Sequence, residues 1–254
     1  MADLKPQRYK DPRPAEAFAR FHERSRSRDP DWVYELVRLI TTPISLVLYR
    51  TRAIGVDNVP ASGPVILASN HFSNMDHFLV GAWLRRKIRF LAKSQLFGNP
   101  IGDYIFSHGG VFPIRRGHAD EEAFTTIRAI FDRGGCVMIY VEGGRSRTGE
   151  LGKPKPGAGR AALESGVPVV PVAIHGSQRI RNLQRLSFPK VTVQFGEPIS
   201  FAAVPNATRE QQQDASEQVF AVVREMYEDL EQRGRASVIR SAREADEGGR
   251  PSYS

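Results

Sequence analysis

The sequence predicts an α/β fold, with a central sheet sandwiched between helices. Short apolar runs bounded by Gly, Pro, Asn and Asp alternate with stretches whose apolar residues recur at helical spacing. That alternation is the signature of a sheet covered by helices. The chain of 254 residues, 41% hydrophobic and 25% charged, has ordinary globular composition; it suits one large domain with terminal extensions, or two small domains.

Residues 1–30 are polar and rich in Arg and Pro, and are expected to form a flexible arm. In the next segment, 31–53, Val33, Leu36, Val37, Ile40, Ile44, Val47 and Leu48 approximate one helical stripe that Pro43 should kink or split. Trp32, Tyr34 and Tyr49 sit near its ends with Arg38, Arg50 and Arg52, a composition that suits a helix lying in a membrane interface. A helix packed on the protein's own core has the same pattern, and the segment alone favours that reading slightly. No stretch reaches the roughly 20 apolar residues of a spanning helix.

After a turn-rich stretch at 57–64, residues 65–68 read as a buried strand leading into Asn70-His71-Phe72-Ser73-Asn74-Met75-Asp76. A helix starts near Met75 with Phe78, Leu79, Ala82 and Trp83 on one side, and Ser73 or Asn74 can cap it. Residues five apart in one helix point to different sides, so His71 and Asp76 meet only if the chain bends between them. A strand-to-helix corner supplies that bend. There the carboxylate can accept from His Nδ1–H and leave Nε2 free to take a proton from a hydroxyl.

Strand 88–92 follows the basic cluster Arg85-Arg86-Lys87 and ends in Lys93. Asn99-Pro100 opens a helix that Gly109-Gly110 stops, before the extended run 111–114 and Arg115-Arg116. Asp120 caps a helix carrying Phe124, Ile127, Ile130 and Phe131. Strand 136–141 begins with Cys136, the single cysteine, read as an inert core residue, and runs into Glu142-Gly143-Gly144-Arg145-Ser146. A Pro/Gly/Lys-rich loop and an Ala-rich helix precede strand 167–174, where Pro168 and Pro171 suggest an edge or a bulge. Residues 190–196 alternate as a half-buried strand, a helix runs from near Thr208 to about Arg233, and 233–254 should be a disordered tail.

The formal charge of +8 fits an anionic partner such as phospholipid headgroups, a phosphorylated substrate or an acidic carrier protein. Nucleic acid ranks low, because zinc-finger spacing, RNP-like pattern and basic recognition helix are all missing.

Four ordered blocks now matter together: Asn70-His71 to Asp76; Gly109-Gly110-Val111-Phe112-Pro113-Ile114-Arg115; Tyr140-Val141-Glu142-Gly143-Gly144-Arg145-Ser146; and Val167-Pro168-Val169-Val170-Pro171-Val172. Over roughly residues 50–200 this pattern resembles the glycerolipid acyltransferases. The third block departs from the family in having Tyr-Val for Phe-Pro and Gly for Thr; the second has Pro113-Ile114 where many members have Ile-Asp. These departures bear on the acceptor more than on the reaction.

The resemblance implies a central mixed sheet flanked by helices, within an α/β domain at 54–232. It also implies transfer of a fatty acyl group from acyl-CoA or acyl carrier protein to lysophosphatidate, giving phosphatidate, with no cofactor beyond that co-substrate. His71 would be the general base and Asp76 its partner. Arg115 and Arg145 would grip the acceptor's phosphate with Lys93, while Gly143 and Gly144 let the main chain approach and Glu142 holds an arginine or accepts from a glycerol hydroxyl. Glu142 as a purely structural partner of Arg145 is an equal alternative. The resemblance also turns segment 31–53 into a docking element for an anionic membrane surface, with the protein peripheral on the cytoplasmic face. Rival readings are a different acceptor (glycerol-3-phosphate, lyso-ornithine lipid or glycolipid), a non-catalytic lipid-binding protein, and a metal-dependent hydrolase using His71, Asp76 and His77.

Overall fold

The computed structural model describes residues 10–117, 120–146, 148–181 and 188–248. The helices are α1 (Ala19–Ser27), α2 (Trp32–Val47), α3 (Asp76–Gly81), α4 (Pro100–His108), α5 (Glu121–Asp132), α6 (Gly157–Ser165) and α7 (Arg209–Gly248). The strands are β1 (Arg52–Ile54), β2 (Val65–Ser69), β3 (Ile88–Lys93), β4 (Val111–Ile114), β5 (Cys136–Tyr140), β6 (Val169–His175) and β7 (Thr192–Phe195). Among the described residues they form one seven-stranded sheet in the order β1-β7-β6-β2-β5-β3-β4. β6 and β7 pair antiparallel and the other neighbours pair parallel, so the sheet is mixed and flanked by helices, as expected.

Side chains alternate across this sheet with the period of two that a strand imposes. Ile66 and Ala68 of β2, with Val137 and Ile139 of β5, face a layer of α5, α6 and α7 built on Ile127, Ile130, Ala162 and Phe220. Val65, Leu67 and Met138 face the other layer, where Leu79 and Val80 of α3 and Ile44 of α2 pack. Cys136 is buried in this second layer, and burial pushes its thiol up to about 12. Gly159 lets α6 approach α7 closely: a Cβ there would lie 2.0 Å from the Gln212 carbonyl oxygen.

Four expectations change. Strand β6 is central, not an edge, despite Pro171. The pairing with β7 begins at Val172↔Phe195, and Pro171 contributes only its carbonyl on that side, accepting from the Gly196 N–H at 2.8 Å. Pro113, by contrast, lies on the true edge strand β4.

The arm expected at 1–30 is structured from residue 10 onward, and its first nine residues lie outside the described ones. Phe18 and Phe21 are buried against Phe97, while Arg24 and Arg26 pair with Asp31 and Glu122. The arginines that made the segment read as polar are tied down at its rim.

Helix α2 is not split by Pro43, whose ring sits on the exposed side; the helix is capped by Asp31, which accepts from the Val33 N–H at 3.0 Å. Among the described residues no helix is long and apolar enough to cross a membrane.

The tail expected to be disordered from 233 is helical to Gly248. The helix does break where the sequence suggested, at Gly234 (φ 74°, ψ 152°), but it restarts because Val238 buries against Ile54 and Leu230. Residues 249–254 lie outside the described ones.

Candidate active site

Strand β2 delivers Asn70 and His71 to the carboxyl edge of the sheet. Asn70 is a strut: its Oδ1 accepts from the Ile174 N–H at 2.8 Å, and its Nδ2 donates to the Ile174 carbonyl at 3.0 Å. The end of β2 is thereby locked to the end of β6.

The chain then bends around one carboxylate. Asp76, fully buried at the start of α3, accepts at Oδ2 from the backbone N–H of Phe72 (2.7 Å) and of Ser73 (2.9 Å). The same oxygen receives His71 Nδ1 at 2.8 Å. An ionised carboxylate can only accept, so Nδ1 carries the proton and Nε2 presents a lone pair. The Ser73 hydroxyl accepts from the Met75 N–H at 3.1 Å and so belongs to the turn.

His71 is buried, and desolvation depresses its pKa; the hydrogen bond and charge of Asp76 oppose that shift, while Arg145 and Arg116 add to it. A neutral imidazole of this kind is poised to act as a base. Tyr140 lies flat on its ring, with centroids 3.7 Å apart and an interplanar angle of 10°.

The loop after β5 grips the His71 backbone from both sides. Glu142 Oε1 accepts from the His71 N–H at 3.0 Å, and the Ser146 N–H donates to the His71 carbonyl at 2.8 Å. Glu142 Oε2 accepts from the Gly152 N–H at 2.7 Å. Burial raises the Glu142 pKa against the pull of these two bonds. Both carboxylate oxygens are thus engaged by backbone, and the expected Glu142–Arg145 contact is replaced by a latch on the His71 corner. Sequence reasoning missed this latch, the Asn70 strut and the Tyr140 platform, since a backbone N–H partner leaves no mark in side-chain spacing.

A cleft of about 650 Å³ opens beside Tyr140 and Gly143. Arg115, Arg116, Lys155 and Arg209 line it and make it basic. The Arg115 N–H donates to Asp120 Oδ2 at 2.6 Å, and its Nη2 donates to the Arg13 carbonyl at 3.1 Å. Gly143 adopts φ 66° in the turn that follows β5. Gly144 is half-buried and Arg145 is exposed on the same loop, close enough for its charge to depress His71. Lys93 ends β3 beside Ile114, the residue before Arg115, but does not line the cleft. The structure therefore gathers His71, Asp76, Glu142, Gly143, Gly144 and Arg145 at one corner; of these Gly143 lines the cleft, as does Arg115, and Lys93 does not. Among the described residues no three His, Cys, Asp or Glu side chains converge on one point.

Residues 50–175 match the family described as Acyltransferase. A chloroplastic 1-acyl-sn-glycerol-3-phosphate acyltransferase of Brassica napus is 32% identical over 135 residues, covering 52% of this chain and 39% of that protein. A glycerol-3-phosphate acyltransferase of Colwellia psychrerythraea is 34% identical over 110 residues, covering 40% of this chain and 13% of that one. The matched part of this chain thus spans less than half the length of either relative. Among solved structures, the 1-acyl-sn-glycerophosphate acyltransferase PlsC of Thermotoga maritima superposes with a TM-score of 0.61 at 23% identity, covering 84% of this chain and 88% of that one. That likeness is one of fold.

Proposed function

The chain belongs to the Acyltransferase family through residues 50–175, and from that premise we propose that it acylates the free hydroxyl of lysophosphatidate to give phosphatidate. The observation that carries the reading is the buried His71–Asp76 pair beside a basic cleft. The donor is an acyl thioester, of coenzyme A or of acyl carrier protein.

His71 Nε2 removes the proton of the acceptor hydroxyl as its oxygen attacks the thioester carbonyl carbon. Asp76 Oδ2, already bonded to Nδ1, stabilises the imidazolium that forms. The tetrahedral intermediate collapses by breaking the C–S bond, and the imidazolium returns its proton to the departing sulfur. A thiolate leaves readily, so no acyl-enzyme is needed.

Arg115 and Arg145 hold the acceptor's phosphate, assisted by Lys93 and by the backbone at Gly143 and Gly144. Glu142 acts as a positioning residue through its bond to His71 rather than by touching the acceptor.

The protein docks on an anionic membrane surface, peripheral on the cytoplasmic face. Exposed apolar side chains on α2 (Trp32, Leu36, Leu39, Ile40, Val47) support this, as do Ile101, Tyr104 and Ile105 on α4, which packs beside α2. The sequence cluster Arg85-Arg86-Lys87 contributes less than its charge suggested. Arg86 donates to the carbonyls of Pro60, Gly63 and Gly134, and Lys87 donates to that of Pro30.

The test is an acceptor screen with labelled acyl-CoA and purified protein in liposomes, with products identified by mass spectrometry. Labelled phosphatidate is the expected product. Transfer to glycerol-3-phosphate in preference to lysophosphatidate would move the acceptor assignment to the reaction named for the Colwellia relative, and transfer to neither would sink the reading.

A further inference from the structure

Behind the catalytic corner lies a second cavity, of about 160 Å³, between α2, α3, α4 and the strands β3 and β4. Val37, Phe78, Phe90 and Phe106 give it apolar walls. Its volume falls below that of a site for a whole small molecule, and its walls reject a charged headgroup; it has room for a stretch of hydrocarbon.

Four polar side chains also line it, and three of them already have partners in the protein. Tyr34 Oη accepts from the Ile88 N–H at 3.1 Å. Thr41 donates to the Val37 carbonyl at 2.8 Å. Arg38 donates to the Arg85 carbonyl at 3.0 Å and pairs with Glu35 at 2.6 Å. The fourth is His77. Its ring rests against Phe78 and Phe90, with centroids 4.0 and 5.6 Å away, and it makes no hydrogen bond among the described residues.

Desolvation by its packed neighbours holds the half-buried His77 down to about 4, so at neutral pH it is an uncharged imidazole with one N–H donor and one lone pair. A saturated chain filling the cavity would offer the His77 ring no hydrogen-bond partner. A chain bearing a hydroxyl at that point would satisfy one of its nitrogens, because a hydroxyl both donates and accepts.

Position along the chain follows from the fold. His77 lines the cavity and succeeds Asp76 in α3, whose carboxylate holds the His71 ring, so the cavity adjoins the corner at which a thioester would be attacked.

We propose that this cavity receives the thioester-proximal part of an acyl chain and that His77 selects chains carrying a hydroxyl there. The inference rests on the acyl-transfer reading and adds a preference to it. The chain belongs to the thioester donor; the acyl chain of the lysolipid acceptor is the other source of the same chemistry, and the arms of the test separate the two.

The experiment measures kcat/KM of the purified full chain in liposomes with palmitoyl-CoA, 3-hydroxypalmitoyl-CoA and 16-hydroxypalmitoyl-CoA. A further arm places the 3-hydroxyl on the lysophosphatidate chain instead. The wild type should favour the 3-hydroxy donor over the plain one by about tenfold, the ratio that the net worth of one added hydrogen bond gives. His77→Leu should erase that ratio, and His77→Gln, which keeps a donor and an acceptor, should retain most of it. Equal use of plain and 3-hydroxy donors, equal gain from the 16-hydroxyl, equal ratios in the Leu and Gln variants, or discrimination only on the acceptor chain would each overturn the inference while leaving acyl transfer intact. Absence of transfer from every donor would overturn the acyl-transfer reading itself.

Discussion

The backbone of His71 hangs on the side chain of Glu142: the His71 N–H donates to Oε1 at 3.0 Å, and Oε2 is held in turn by the Gly152 N–H at 2.7 Å. The position of the proposed base is therefore set from a loop remote in sequence. Gly152→Ala tests this, because a Cβ there would lie 2.5 Å from Glu142 Oε2 and must push the carboxylate aside. We expect kcat to fall by about 10²-fold, the scale of a 1 Å misplacement, with little change in KM for the thioester. A folded variant with wild-type kcat would show that the latch does not set the base.

Asp76 collects three donors on one buried oxygen, from His71, Phe72 and Ser73. Asp76→Ala leaves those donors unpaired, so stability should drop by about 3 kcal/mol along with activity. His71→Ala should instead lower kcat by roughly 10²- to 10⁴-fold while the urea midpoint moves much less. Equal destabilisation by the two variants would mean that the corner is held by the imidazole and not by the carboxylate.

The rate should follow the neutral form of His71. Its pKa is depressed below 6.5, mainly by burial, so kcat/KM should be level near neutral pH and fall as pH drops through that lowered value. Arg145 contributes to the depression. Removing its charge in Arg145→Ala makes protonation of His71 easier, so the acid limb should move to higher pH, and KM for a phosphorylated acceptor should rise more than KM for the thioester. A limb that stays in place in the variant would separate Arg145 from the site.

Leu39 and Val47 are 71% and 70% exposed on α2. The double substitution Leu39→Glu, Val47→Glu should weaken binding to vesicles of anionic phospholipid at least tenfold in a sedimentation assay. Transfer to a short-chain acceptor dispersed in detergent should be affected far less. Unchanged sedimentation would remove α2 from the docking surface.

Much of the corner was legible because its constraint is local: His71 and Asp76 are five positions apart, and only a bend brings them together. The mixed sheet was legible through the family pattern. Pro171 left an edge or a bulge open; the strand is central, and its pairing steps from Val169↔Ile199 to Val172↔Phe195, three positions against four, which spares the absent N–H. Gly234 gave a true break but not a true end, since the helix beyond it depends on Val238 reaching Ile54, far away in the chain. Phe18 and Phe21 were masked by surrounding arginines that are themselves paired. Glu142 had the right location and the wrong partner, because backbone amides carry no residue identity.

The bond from Arg115 to the Arg13 carbonyl has a practical consequence. The segment shared with the family begins at residue 50, yet a residue well before it helps to hold a cleft arginine, and α7, entirely beyond residue 175, covers one face of the sheet. What is inherited as a recognisable unit is smaller than what must fold together. A fragment cut to the family boundaries would keep all four sequence signatures and lose the scaffolding that makes them a site.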